Sequence, residues 1–181
     1  MKIRTNPLSN DLINIYSLQV RKLFNVSDEE AFPIIEFLEF LELKQLLFLF
    51  PLEDDNDYLE DDESARYDVK NNCIYIRESV FKEIEEKNYR GLFTLCHELF
   101  HFIQVKYLDF EFVELEDYLV KAYEDAEWQA NTFASFLLLP KNKLFTYSKE
   151  ETLERYKITE HCYLYRKLKY YRQKYEYVTK Y

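Results

Sequence analysis

Glycine is almost absent from this sequence, since Gly91 is the one glycine among 181 residues. Glycine-rich loops cradle phosphates and form the sharp turns that expose nucleophiles, because only glycine lets the backbone bend and approach so closely. The chain accordingly has no P-loop, no GxGxxG motif and no nucleophile elbow. These absences argue against the nucleotide-binding and α/β-hydrolase classes.

Cysteines and long apolar runs are also scarce. The three cysteines, Cys73, Cys96 and Cys162, are far apart and form no CxxC pair. An odd, scattered set does not suit a disulfide scaffold and favours a reducing compartment. The N-terminus lacks the apolar stretch of a secretory signal, and the longest uncharged apolar run, Leu46–Leu52, is far too short to cross a bilayer. We therefore expect a cytoplasmic protein with no membrane partner.

Charge is distributed unevenly along the chain. Residues 1–140 hold 13 lysines and arginines against 29 acidic residues, whereas residues 141–181 hold 11 against 5. An acidic body repels nucleic acid, so we expect no direct sequence-specific binding of DNA. The basic C-terminal part is interpreted mainly as solvated helix, with contact to an acidic partner or to the body as the alternative.

Hydrophobic periodicity predicts an α+β fold that is mainly helical and has a small sheet of about three strands. Asn6 and Pro7 suit an N-cap and first position for the opening helix, and Asn71-Asn72 suits a hairpin turn. Pro140 ends a long helix, because proline cannot continue one. The expected helices lie near residues 7–24, 33–43, 79–87, 89–106, 116–139 and 159–178, with a further short helix that opens at Ser148. The expected strands lie near 45–50, 66–69 and 73–77.

The motif with chemical content is HExxH, formed by His97, Glu98 and His101. Four residues advance a helix by about 400° and 6 Å, so both imidazoles leave one face a turn apart and can bind one tetrahedral Zn²⁺. Glu98 lies about 100° round the helix, where it reaches a metal-bound water and not the metal. This arrangement is typical of a general base acting on that water.

A catalytic zinc site takes three protein ligands and leaves the fourth position open, so a third ligand must come from elsewhere. Glu127 is the favoured candidate, because its helix is strongly apolar and should pack in the core. Glu124, one turn earlier, remains a competitor, and His161 is a weaker candidate in the basic tail. Asn131, one turn later, could hold a ligand histidine through its side-chain oxygen, or could be a surface amide.

The surroundings of this motif resemble the ImmA/IrrE family of zinc metallopeptidases, whose pattern is roughly FTxAHExGH, then ExxANxFAxxLLxP. The resemblance covers about residues 66–140. It is carried by Phe93-Thr94-Leu95-Cys96-His97-Glu98-Leu99-Phe100-His101, Glu127-x-x-Ala130-Asn131-x-Phe133-Ala134 and Leu137-Leu138-Leu139-Pro140.

The resemblance implies that His97, His101 and Glu127 bind zinc and that Glu98 is the catalytic base. It also implies a compact zincin-like fold, with a metallopeptidase domain over residues 1–140 (core 66–140) and a basic helical extension over 141–181 packed on it. Family members act in the bacterial cytoplasm, often in prophages and mobile elements. They cleave a DNA-binding helix-turn-helix repressor, which would here be the protein substrate.

Two positions depart from the family pattern. Phe100 stands where the family usually has glycine, and Cys96 where it usually has alanine. Phe100 predicts a repacked neighbour, and Cys96 is expected to be a small buried apolar residue. The alternative function is a non-proteolytic module, antitoxin-like or a sensor, in which zinc is a structural clip and the acidic face holds a partner protein.

Overall fold

The computed structural model describes the backbone of residues 2–178 and the side chains of residues 2–172. Within this range the chain forms two compact units. The first contains the residues up to Phe32 and those from Phe112 onward, and the second is Pro33–Glu111. The expected boundary at residue 140 stays a prediction. The helices and strands, in chain order, are β1 (Lys2–Arg4), α1 (Asn10–Leu23), α2 (Ile34–Leu43), β2 (Phe48–Leu52), β3 (Ala65–Asp68), β4 (Cys73–Arg77), α3 (Glu78–Glu85), α4 (Arg90–Lys106), β5 (Val113–Leu115), α5 (Ala126–Leu138), α6 (Lys149–Tyr156) and α7 (Glu160–Val178).

The second unit contains a three-stranded mixed sheet in the order β2-β4-β3. Strand β2 runs parallel to β4, and β3 pairs with β4 in the antiparallel direction with Tyr67 opposite Ile74. Helix α4 packs against α2, α3 and β3, and most of its surface is buried. Helices around a small sheet confirm the predicted α+β class.

The turn between β3 and β4 matches its prediction in detail. Asn72 adopts a φ of 52°, the left-handed conformation that asparagine tolerates better than most residues. The predicted strand at 45–50 is shifted toward the C-terminus, to Phe48–Leu52. It includes Pro51, which an edge strand can accept because one side of its backbone has no partner strand.

Gly91 has a steric role in the contact between α3 and α4. A Cβ atom built at this position would lie 2.4 Å from Cγ1 of Val80 and 3.0 Å from Cδ1 of Ile84. Any larger residue would therefore force the Val80 and Ile84 side chains of α3 to shift. The one glycine of the chain thus lies at a close contact between α3 and the helix that carries HExxH.

In the first unit, α5 is the central helix. It packs against α1, α7 and β1, and ten of its residues are buried. Helix α7 is less solvated than its charge suggests, because Arg166 and Lys169 are 0% and 3% exposed. Their positively charged groups lie 3.8 Å from the ring centroids of Phe136 and Trp128 respectively. The expectation of a solvated basic helix is therefore wrong for these two residues.

The long helix predicted over 116–139 is shorter in the structure. Residues 117–119 and 122–124 form two 3₁₀ turns, and α5 begins only at Ala126. Just before this segment, residues 113–115 pair with β1, and within it Asp125 forms an isolated β-bridge with Arg4. These pairings fix the segment in an extended and turned conformation, which overrides its local helical periodicity.

The first helix also begins later than predicted. Ser9, and not Asn6, is its N-cap, and the Ser9 side chain accepts a hydrogen bond from the Leu12 amide. Thr5 and Leu8 donate backbone hydrogen bonds to the carbonyls of Glu124 and Tyr123, which keeps residues 5–8 out of the helix. Among the described residues no helix combines the length and apolar character needed to span a bilayer.

Candidate functional site

The HExxH motif lies in the middle of α4, and both histidines project from the same side of the helix. The Nε2 atoms of His97 and His101 are 3.0 Å apart, and their rings meet at 73°. Two imidazole nitrogens bound to one tetrahedral zinc at 2.0–2.1 Å lie about 3.3 Å apart. The two rings therefore already stand close to the separation that a shared divalent ion requires.

Gln104 fixes the tautomer of one histidine. Its Oε1 lies 3.0 Å from Nδ1 of His101, and the Gln104 side chain is fully buried one turn further along α4. A carbonyl oxygen only accepts, so the ring proton resides on Nδ1 and the lone pair of Nε2 is left for a metal. The donor set of the second unit thus fits a zinc ion chemically.

Glu98 is held by the main chain of the sheet. Glu98 is 7% exposed, and its Oε2 accepts a hydrogen bond of 2.8 Å from the backbone N–H of Tyr67. Strand β3 is an edge strand, so this N–H faces α4 and not a neighbouring strand. The other carboxylate oxygen, Oε1, lies 4.0 Å from Nε2 of His97. One oxygen is therefore anchored while the other stands beside the histidine pair.

Glu127 belongs to the first unit, where it lies in the first turn of α5 with an exposed side chain. Asp125 caps that helix by accepting from the Glu127 amide at 3.1 Å, and it also forms an ion pair of 3.1 Å with Lys2. The cap determines where α5 begins, and hence where Glu127 leaves the helix. An acidic residue in a first helical turn is also favoured by the helix dipole.

The two competitors for the third ligand also lie in the first unit. Glu124 is in the 3₁₀ turn before α5, so it does not share a helix with Glu127 as the sequence suggested. It forms an ion pair with Arg4, at 3.6 Å. His161 is exposed near the start of α7.

Sequence reasoning did not identify two of the groups that support the motif. Gln104 stands three residues after His101, a spacing that places two side chains together on a helix, so this signal was available. The Tyr67 amide gives no such signal, because every residue except proline carries a backbone N–H. Cys96 is fully buried, as expected, and Phe100 is fully buried as well. The repacked neighbour of Phe100 stays a prediction.

Comparison with solved structures supports the fold. A Mycobacterium tuberculosis transcriptional regulator superposes with a TM-score of 0.55 at 12% identity, covering 83% of this chain and 45% of the regulator. The chain thus spans less than half of the regulator's length, and a likeness at this identity concerns the fold alone. No curated protein matches the sequence.

A family model gives the more specific result. The model of Peptidase_M78, described as the IrrE N-terminal-like domain, matches residues 48–166. This range includes the HExxH motif of α4, the strand that anchors Glu98 and the whole of α5. The chain therefore belongs to the Peptidase_M78 family of metallopeptidases, the family of IrrE N-terminal-like domains.

Proposed function

We propose that this protein is a zinc-dependent endopeptidase. His97, His101 and Glu127 are the proposed metal ligands, a donor set of two imidazoles and one carboxylate that suits a catalytic zinc. The proposal is supported by the spacing of the two Nε2 atoms and by the tautomer that Gln104 imposes on His101. The assignment of Glu127 as the third ligand rests on the match of its helix to the family pattern.

The observation that carries the mechanism is the anchored carboxylate of Glu98. Zinc, when bound, would lower the pKa of a water and polarise the scissile carbonyl. Glu98 would accept the proton of that water and later pass it to the leaving amine. The hydrogen bond from the Tyr67 amide restricts the rotation of the carboxylate, so the oxygen beside His97 keeps the position a base needs.

We further propose that the substrate is a helix-turn-helix repressor of a prophage or mobile element, and that the reaction takes place in the cytoplasm. This part rests on the resemblance to the ImmA/IrrE family. The acidic composition of residues 1–140 is compatible with it, because a DNA-binding protein presents basic surface to its partners.

Replacement of the base tests the proposal. Glu98→Gln keeps the shape of the side chain but cannot take a proton, so we expect cleavage to fall by about 10²–10⁴-fold while bound zinc stays near one ion per chain. Glu85→Gln, an exposed position on α3, is the matched control and should cleave like the wild type. In the assay, each variant is co-incubated with a helix-turn-helix regulator chosen from the genes adjacent to its own. Fragments are then identified by mass analysis, and the metal content of the protein is measured.

The same experiment separates the alternative function. A non-proteolytic zinc module predicts that the wild type leaves the regulator intact, that Glu98→Gln has no functional effect, and that a chelator unfolds the chain. Cleavage by Glu98→Gln at the wild-type rate would contradict the catalytic role of Glu98, whatever the metal content.

A further inference from the structure

The first unit contains a pocket that the peptidase mechanism does not use. Its volume is about 480 Å³, within the range of small-molecule sites. The walls come from the start of α1, the 3₁₀ turn at 122–124, α5 and α7. The lining residues on which the argument depends are Ser9, Asn10, Tyr123, Trp128, Lys169 and Arg172.

Lys169 is the unusual group in this pocket, because its side chain is only 3% exposed. Its Nζ lies 3.8 Å from the ring centroid of Trp128 and 4.8 Å from that of Tyr165. None of the carboxylates in the described part of the chain forms an ion pair with it. Burial, and to a smaller extent the neighbouring charge of Arg172, lowers the pKa of Lys169 to about 7. A bound anion would oppose both effects.

Further positive potential comes from a second side chain of α7 and from the start of α1. Arg172 contributes a guanidinium one helical turn after Lys169. Ser9 and Asn10 form the N-terminal end of α1, a helix of 14 residues whose dipole places partial positive charge there. A helix N-terminus does not by itself establish an anion site. The buried Lys169 is a second, independent observation that points to one.

The walls are held in place by hydrogen bonds independent of any ligand. Gln129, which is fully buried, donates from Nε2 to the carbonyls of Asn6 and Tyr123, both at 2.8 Å. The amide of Leu8 donates to the same Tyr123 carbonyl at 2.8 Å. The segment before α1 is thereby tied to the turn that carries Tyr123, so the pocket is preformed and a ligand need not order it.

We propose that this pocket binds a small aromatic carboxylate, with its charged group between Lys169 and Arg172 and its ring against Trp128 and Tyr123. The glycine-rich backbone cradle that phosphates favour is absent, because Gly91 lies in the other unit. The two aromatic residues supply the apolar surface that a ring requires.

The chain offers a direct probe, because Trp128 is its one tryptophan. Titration of the full chain with 3-phenylpropionate, followed by tryptophan emission, should give saturable binding with a Kd of about 1 mM or tighter, from ligand efficiency for so small a molecule. The neutral isostere 3-phenylpropionamide should bind at least about tenfold more weakly, which is the effect of about 1.4 kcal/mol. Both ligands are tested on the wild-type protein, so this comparison does not depend on whether a variant folds.

Variants then test which charged side chain binds the carboxylate. Binding is measured by titration calorimetry. Lys169→Met keeps the length and apolar stem of the side chain and should weaken 3-phenylpropionate by about tenfold or more. Lys167→Met, on the same helix but facing Phe145 and Tyr163, should change the Kd by less than about twofold. The absence of saturation up to about 20 mM ligand, equal affinity for acid and amide, or an unchanged Kd in folded Lys169→Met would each overturn the proposal.

Discussion

Buried charges in the two units are stabilised by different means. In the second unit, the carboxylate of Glu98 accepts from the backbone N–H of Tyr67. In the first, the guanidinium of Arg166 lies over Phe136 and donates from Nε to the Leu139 carbonyl at 3.0 Å, while Lys169 lies between two rings. A buried anion can thus be held by the main chain. Arg166 and Lys169 rely largely on ring faces, which orient and neutralise a cation less. Arg21, a third buried cation of the first unit, instead donates to the main-chain carbonyls of Leu137, Ser27 and Glu30.

Arg166 shows the effect of burying a cation most clearly, because burial lowers the pKa of its guanidinium to about 9. If the side chain mainly fills space, Arg166→Ala should lower the free energy of unfolding by about 3 kcal/mol through the cavity it leaves. Arg166→Met, which keeps most of the volume, should remain within about 1 kcal/mol of the wild type, because it removes the desolvation cost as well as the hydrogen bond. Urea unfolding of both variants is the measurement. Equal losses in the two would show that the charge itself stabilises the unit.

The second prediction concerns pH and Lys169. Its pKa is about 7 in the folded protein against an ordinary value of 10.5, so between these values the unfolded chain binds a proton that the folded protein does not. Stability contributed by this group therefore rises with pH across that window, and the penalty is complete below about pH 7. From pH 7 to 9 the wild type should gain about 2 kcal/mol relative to Lys169→Met.

Unfolding free energies at the two pH values test this expectation. Lys167→Met should keep the wild-type rise, which isolates the contribution of the buried lysine and its neighbours Arg172, Trp128 and Tyr165. If the unfolding free energies of the wild type and Lys169→Met change equally with pH, burial does not disfavour the charged form of Lys169.

The third prediction tests the main-chain contact to the buried anion. Tyr67→Pro removes the N–H that Glu98 accepts, at an edge strand where proline is tolerated. Tyr67→Ala is the matched control, because it also removes the ring that packs on Phe102 but keeps the N–H. Loss of a hydrogen bond to a charged group should lower kcat of Tyr67→Pro by a further tenfold to about a hundredfold. Equal kcat in the two variants, at equal zinc content, would show that the contact does not orient the base.

Local patterns in the sequence predicted much of the second unit. The apolar surround of α4, the hairpin at Asn72 and the position of HExxH all depend on residues a few positions apart, and the structure agrees with them. The first unit was predicted less well. The late starts of α1 and α5 depend on pairing between residues 2–8 and 113–125, which are more than a hundred positions apart in the chain. Local hydrophobic periodicity cannot indicate such a distant partner.

The candidate site shows the same division. The histidines and Glu98 follow from one helical spacing, and Gln104 could have been added from it. The pocket could not be predicted, because Trp128 lies on α5 and Lys169 on α7, with α6 between them in the chain. The sequence also does not indicate which basic residue of a basic segment is buried.

The anchoring of Glu98 by a backbone group has a consequence for the divergence of related proteins. Any of the nineteen residues with an amide hydrogen can occupy position 67 and still provide the contact, so substitution there is free to follow the needs of packing or of substrate shape. Relatives that differ widely along β3 can therefore retain the same placement of the carboxylate, provided that the strand keeps its register. What must be inherited is the path of the strand and not the identity of a side chain.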